Sequence, residues 1–243
     1  MKNKPMSFAP EMVRAILEGR KTQTRRPIEP QPPSYSRWHK GEMDSNGGLY
    51  FSYTVTYGDS LRSSENELAI KCPFKIGDRI WVREDWYFAG QSWDGSKPDI
   101  KKIYVEYAAD GKTFKKEIPI SEYKGIPENL AQRTFEPEFE YEKRRQDHIY
   151  KTRHEKRLAK EMPRWASRIT LEITNVGIER VQDISEDDAK AEGFENDAVF
   201  NEEMDYTGLL AYDRFAFFWD EIYGKDSFFK NPWVWVYEFE VVK

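Results

Sequence analysis

Cysteine occurs once, as Cys72, and histidine three times, as His39, His148 and His154. A lone cysteine forms no intrachain disulfide, which excludes a cystine-stapled secreted scaffold and fits a reducing compartment. The histidines make no HExxH, CxxC or i,i+4 ligand pair, so the sequence offers no ligand set for zinc or iron, and the expectation is that the chain works without a cofactor. No run of about 18 apolar residues exists, and "MKNKPMSFAP" lacks the apolar stretch of a signal peptide, which predicts a soluble cytoplasmic protein with no membrane partner. G-x-S-x-G elbows, Walker loops and dinucleotide fingerprints are missing as well.

What is abundant is charge and aromatic surface. The 38 Lys/Arg against 43 Asp/Glu leave a net charge of −5, so any contact with a polyanion has to be local. Eight Trp, 14 Tyr and 15 Phe suit a β-rich domain with aromatic packing between sheets.

Along the chain, "APEMVRAILEG" sets Met12, Val13, Ile16 and Leu17 on one helical face, with Pro10 in the first turn and Gly19 as the stop. Residues 34–68 are polar and weakly patterned, and are expected to form an excursion outside the core. "KIGDRIWVRE" and "KKIYVEYAAD" read as strands. Residues 110–160 read as a second insertion. It ends in a basic run, residues 142–160, that is either a solvated arm or a nucleic-acid contact.

"RITLEITNVGIERVQDI" alternates Ile169, Leu171 and Ile173 inward and reads as a strand pair. "SEDDAKAEG" predicts a short helix capped by Ser185 and stopped by Gly193. A longer helix is expected over residues 209–223, burying Leu210, Phe215, Phe218, Trp219 and Ile222, and "NPWVWVYEFEVV" is a closing strand with an aromatic stripe. The order predicts one α+β domain, a partly closed β-barrel flanked by helices.

Two placements call for chemistry. In "EGRKTQTRRP", Arg20 and Lys21 are explained in part by the negative end of the preceding helix, but Arg25, Arg26, Thr22 and Thr24 are not. Such a cluster fits either a solvated turn or a site for a phosphate, carboxylate or polarised carbonyl. Glu192 lies in the last turn of the short helix, where a carboxylate is disfavoured by up to about 1 kcal/mol. It is either exposed or paired with Lys21.

These segments resemble a known family. "ILEGRKTQTRR" is similar to the signature of ASCH domains, which have a PUA-like fold, and "GDRIWVRE", "ISEDDAKAEGF" and "YDRFAFFWDEIYG…NPWVWVYEFEVV" resemble the family's later blocks. Together they cover roughly half of the chain and look most like the larger ASCH proteins carried by phages and prophages.

The resemblance implies a concave face that binds RNA, DNA or a modified nucleoside. For members that hydrolyse acetylcytidine it implies Lys21, Thr24 and Glu192 as the catalytic set. Arg25 stands where those enzymes have an apolar strand residue. Arg25, Arg26, Arg83, Trp86, Arg164 and Trp165 complete the candidate ligand-binding set, the arginines for phosphates and the tryptophans for stacking on a base. Three readings follow: a nucleic-acid or modified-nucleotide binding protein, an amidohydrolase of acylated nucleosides, and a phage protein that binds a host protein.

Overall fold

A computed structural model describes residues 2–33, 36–39, 41–43, 48–57, 64–93, 100–119, 156–195 and 210–242. The basic run before residue 156 and residues 196–209 lie outside these. The described chain is mixed α and β, with strands predominating.

The strands are β1 (Asn3–Ser7), β2 (Gln23–Pro27), β3 (Arg37–Trp38), β4 (Glu42–Met43), β5 (Leu49–Tyr57), β6 (Ser64–Lys71), β7 (Arg79–Arg83), β8 (Trp86–Trp93), β9 (Ile100–Tyr107), β10 (Thr113–Pro119), β11 (Lys156–Arg157), β12 (Thr170–Arg180) and β13 (Trp233–Val241). The helices are α1 (Pro10–Leu17), α2 (Glu186–Ala191) and α3 (Ala211–Tyr223). Among the described residues the strands make three open sheets and no closed barrel.

The chain separates into two units: Met1–Lys4, Ala15–Ile80 and Ile169–Lys243 form the first, Pro5–Arg14 and Trp81–Arg168 the second. In the first, β12, β13 and β2 are neighbouring antiparallel members of the sheet β1-β7-β12-β13-β2. The segment expected to be a strand pair is a single strand, β12. It runs through the anticipated turn with a bulge between Ile173 and Asn175, because its partner is β13, about 60 residues away in sequence.

β13 carries the aromatic stripe as expected. Trp235, Tyr237 and Phe239 are buried, and Trp233 is half-buried.

The described residues within 34–68 are not an excursion outside the core. They contain β3, β4, β5 and the start of β6, with Phe51, Tyr53 and Val55 alternating inward along β5. Phe51 meets Trp235 edge-on at 5.5 Å, and Trp38 meets Trp233 the same way at 5.5 Å, which joins this small sheet to β13.

The helices end where the sequence predicts. Ser185 accepts the Asp188 N–H as N-cap of α2, and Gly193 (φ 100°) and Gly224 (φ 98°) follow α2 and α3. Glu186 of α2 caps α3, its two carboxylate oxygens accepting the Ala211 and Tyr212 N–H groups at 3.0 Å each. α3 buries Phe215 and Trp219, while Leu210 and Ile222, expected inside, are exposed.

The second unit is built on the sheet β10-β9-β8-β11. Its core gathers Trp86, Val105, Tyr107, Met162 and Ala166. Glu84, at 1% exposure, takes a two-pronged bond from Arg168 at 2.9 Å on each oxygen. The same guanidinium bonds Asp110 at 2.8 Å and lies 3.9 Å from the Tyr107 ring centroid.

Candidate functional site

α1 stops at a tight crossing that aims Lys21. Gly19 takes φ 76°, and the Ala15 carbonyl accepts both the Arg20 and the Lys21 N–H at 2.9 and 3.1 Å. The chain then runs into β2, anchored at Thr22. Its N–H donates to the Ala191 carbonyl at the end of α2, and its carbonyl accepts from Phe239 of β13. This brings the start of β2 and the C-terminus of α2 into register, so Lys21 and Glu192 meet across 171 residues of sequence.

The meeting is buried. Lys21 and Glu192 side chains are 2% and 5% exposed, the Lys21 ammonium is paired with Glu192 Oε2, and the same nitrogen donates to the Glu192 backbone carbonyl at 2.8 Å. The carboxylate that the helix end disfavours is held by an ammonium. Burial pulls the Lys21 pKa below the ordinary lysine value; the attraction of Glu192 works the other way, and the charges of Arg26 and Arg25 add to the lowering.

Arg25 is the residue whose surroundings the sequence did not disclose. Its side chain is 1% exposed and touches three carboxylates: Nε donates to Glu179 at 2.6 Å, Nη1 lies 3.3 Å from Glu192 Oε1, and Nη2 lies 3.6 Å from Asp188. Gln23 Oε1 accepts from Nη1 at 3.2 Å.

Glu179 comes from β12, where strand alternation places it on the sheet face that Arg25 shares. Burial raises its pKa, against the pull of Arg25. Asp188 is also partly desolvated, but hydrogen bonds from Ser185 and Gln23, with the charge of Arg25, hold it below the ordinary aspartate value. The signal for these partners lay in β2 itself, since a guanidinium at an inward strand position needs carboxylates opposite it.

Thr24 and Arg26 alternate to the other face of β2. Thr24, 3% exposed, sits opposite Tyr237, whose hydroxyl lies 3.8 Å from Cys72 Sγ. Arg26 sits opposite Trp235 and donates to the Tyr223 hydroxyl at 3.4 Å.

The other four predicted binding residues belong to the second unit. Arg83 and Arg164 lie over the Trp81 ring, 4.8 and 5.8 Å from its centroid. Trp86 is 1% exposed in the core, with Trp165 edge-on at 6.4 Å, which leaves Trp86 no face open to a base.

A cavity of about 580 Å3 is lined by Arg20, Thr22, Lys190, Ala191, Phe194 and Glu195, with neither Lys21 nor Glu192 in its lining. These are the neighbours in sequence of Lys21 on one wall and of Glu192 on the other. Its volume falls within the range of small-ligand pockets, about 300–1,000 Å3.

Arg20 on the rim is tied to Glu18, to Glu195 at 3.3 Å and to the Gly193 carbonyl at 2.9 Å. Among the described residues no group of three or more His, Cys, Asp or Glu is arranged to hold a metal ion, and no helix is long and apolar enough to cross a membrane. Comparison with family models, curated proteins and solved structures finds no match to this chain.

Proposed function

We propose that this chain is an ASCH-type binding protein of PUA-like fold whose first unit holds a nucleoside-type ligand, as a modified nucleotide or within RNA or DNA. The observation that carries the reading is the buried Lys21–Glu192 pair. An ion pair withdrawn from water gains little stability over apolar packing, because each charge loses its hydration. A buried lysine and glutamate at the start of a strand and the end of a helix are an arrangement that binding or chemistry explains better than folding does. These are also two of the positions that the family resemblance assigns to its site.

The test is equilibrium binding to a panel of modified cytidines and adenosines and to short RNA and DNA oligomers. Binding that Lys21→Met and Glu192→Gln each weaken at least tenfold, with circular dichroism unchanged, supports the reading. Absence of binding across the panel overturns it.

The lowered pKa of Lys21 favours a second reading on the same ligand, hydrolysis of an acylated base. The free amine of Lys21 takes a proton from a water as that oxygen adds to the amide carbonyl. The proton passes to the leaving amine as the C–N bond breaks, and Glu192 orients the ammonium between the two steps. Release of free cytidine from acetylcytidine, lost in Lys21→Met, is the expected result. Binding without turnover would leave the binding reading alone.

A further inference from the structure

We infer that Arg25 is a positioning residue that holds the Glu192 carboxylate in the orientation in which it meets Lys21. This rests on the reading of the Lys21–Glu192 pair as the centre of the site. The two oxygens of Glu192 are divided between two cations, Oε2 to Lys21 and Oε1 to Arg25 at 3.3 Å. A carboxylate with one cation can turn about its terminal torsion, whereas one gripped at both oxygens cannot.

Arg25 is itself immobilised. Its guanidinium is held at Nε by Glu179 of β12, at Nη2 by the charge of Asp188 in the first turn of α2, 3.6 Å away, and at Nη1 by Gln23 of its own strand. One planar group therefore ties three places together: β12, the start of α2 and the residue just past its end. A lysine at position 25 carries a single nitrogen and cannot reach all three.

Folding alone does not require this. α2 is already capped by Ser185, closed by Gly193 and bonded to Thr22 through the Ala191 carbonyl. What Arg25 adds is a fixed geometry and a charge balance. The groups that act on Lys21 are Glu192 from the end of α2 and Arg25 and Arg26 from β2, while Glu179 and Asp188 face Arg25 and offset its charge.

The two sides of that balance predict opposite shifts. Losing Arg25 leaves the whole Glu192 charge to Lys21 and removes a neighbouring cation, so the amine titrates at higher pH. Neutralising Glu179 frees more of the Arg25 field toward Lys21, so the amine titrates at lower pH.

The experiment follows the Cε carbon of Lys21 by NMR against pH in protein labelled with 13C-lysine, the signal being assigned by its loss in Lys21→Arg. Arg25→Met is expected to raise the Lys21 midpoint, with Arg25→Lys returning part of the shift. Glu179→Gln, which keeps an oxygen for Arg25 Nε and so preserves the fold, is expected to lower the midpoint.

An unmoved midpoint in folded Arg25→Met overturns the inference. Should Arg25→Met not fold, an unmoved midpoint in Glu179→Gln overturns it. No ligand enters the measurement, so failure to bind nucleosides would remove the functional reading while leaving this result intact.

Discussion

Lys21 grips Glu192 twice, once by its side-chain carboxylate and once by its backbone carbonyl, the latter at 2.8 Å. The second bond matters because it ties the ammonium to the helix end itself and not only to a rotatable side chain. The lysine therefore acts both as the counter-ion of Glu192 and as a donor to one of the carbonyls that the end of α2 leaves open.

Replacing Lys21 by Met leaves Glu192 buried with Arg25 as its remaining cation. The expected cost is roughly 3 kcal/mol, read as a fall in the urea midpoint at unchanged slope. The loss also varies with pH. Because the folded chain holds the Lys21 pKa below its unfolded value, the unfolded state binds more protons between the two, and wild-type stability gains with rising pH until the ordinary lysine range. The difference between wild type and Lys21→Met should accordingly widen as pH rises through that window; a difference that narrows would contradict the lowered pKa.

Gly193 should tolerate no side chain. At φ 100° any L residue is strained, and a Cβ there would lie 2.8 Å from Ala15 Cβ and 3.2 Å from Lys21 Cβ. Gly193→Ala is expected to cost about 2–3 kcal/mol by thermal or urea unfolding, whereas Gly224→Ala, with open space around it, should carry only the backbone strain of about 1 kcal/mol. Equal costs at the two positions would show that close packing against Lys21 is not what sets the penalty.

In the second unit, Arg168→Met strands Glu84 at 1% exposure, with an expected cost of roughly 3 kcal/mol near neutral pH. Burial already holds the Glu84 pKa above the ordinary carboxylate value, against the pull of Arg168. Without the arginine it rises further. A folded pKa above the unfolded one means that the folded state binds more protons, so stability is retained in acid and lost as pH climbs through the folded pKa. The penalty of Arg168→Met should therefore shrink as pH falls toward 5, and a penalty that does not vary with pH would count against an ionised Glu84.

If the ligand is an oligonucleotide, its affinity should fall steeply with salt, and Arg26→Ala should weaken binding and reduce the slope of log affinity against log salt by about one. Arg25→Ala should instead act through loss of Glu192 geometry, weakening binding at every salt concentration with the slope unchanged. Identical slopes in wild type and Arg26→Ala would remove Arg26 from the phosphate contacts.

The parts of the fold legible in the sequence were those with local signals. Ser185, Gly193 and Gly224 mark helix ends by backbone conformation and capping, which need only a few neighbouring residues. The alternation of Phe51, Tyr53 and Val55 was just as local, but polar and glycine-containing stretches on both sides masked it. The alternation of β12 breaks between Ile173 and Val176 and so reads as a strand pair, whereas the partner that carries a single strand through the break, β13, lies far along the chain.

Of the site, the Lys21–Glu192 pairing was one of two open alternatives, and it is the one found. The carboxylates around Arg25 were hidden, since Glu179 and Asp188 come from separate elements and only the register of β2 on β13 and β12 brings them together.

That register gives the site a parity. Position 25 faces the carboxylates and positions 24 and 26 face Tyr237 and Trp235, so moving β2 by one residue along β13 would trade a guanidinium for a hydroxyl or point the wrong cation inward. The count of residues between Gly19 and Gln23 is thus as binding as their identity. A chain gaining or losing one residue there would keep its helix, yet no longer set Arg25 among the Glu179, Asp188 and Glu192 carboxylates.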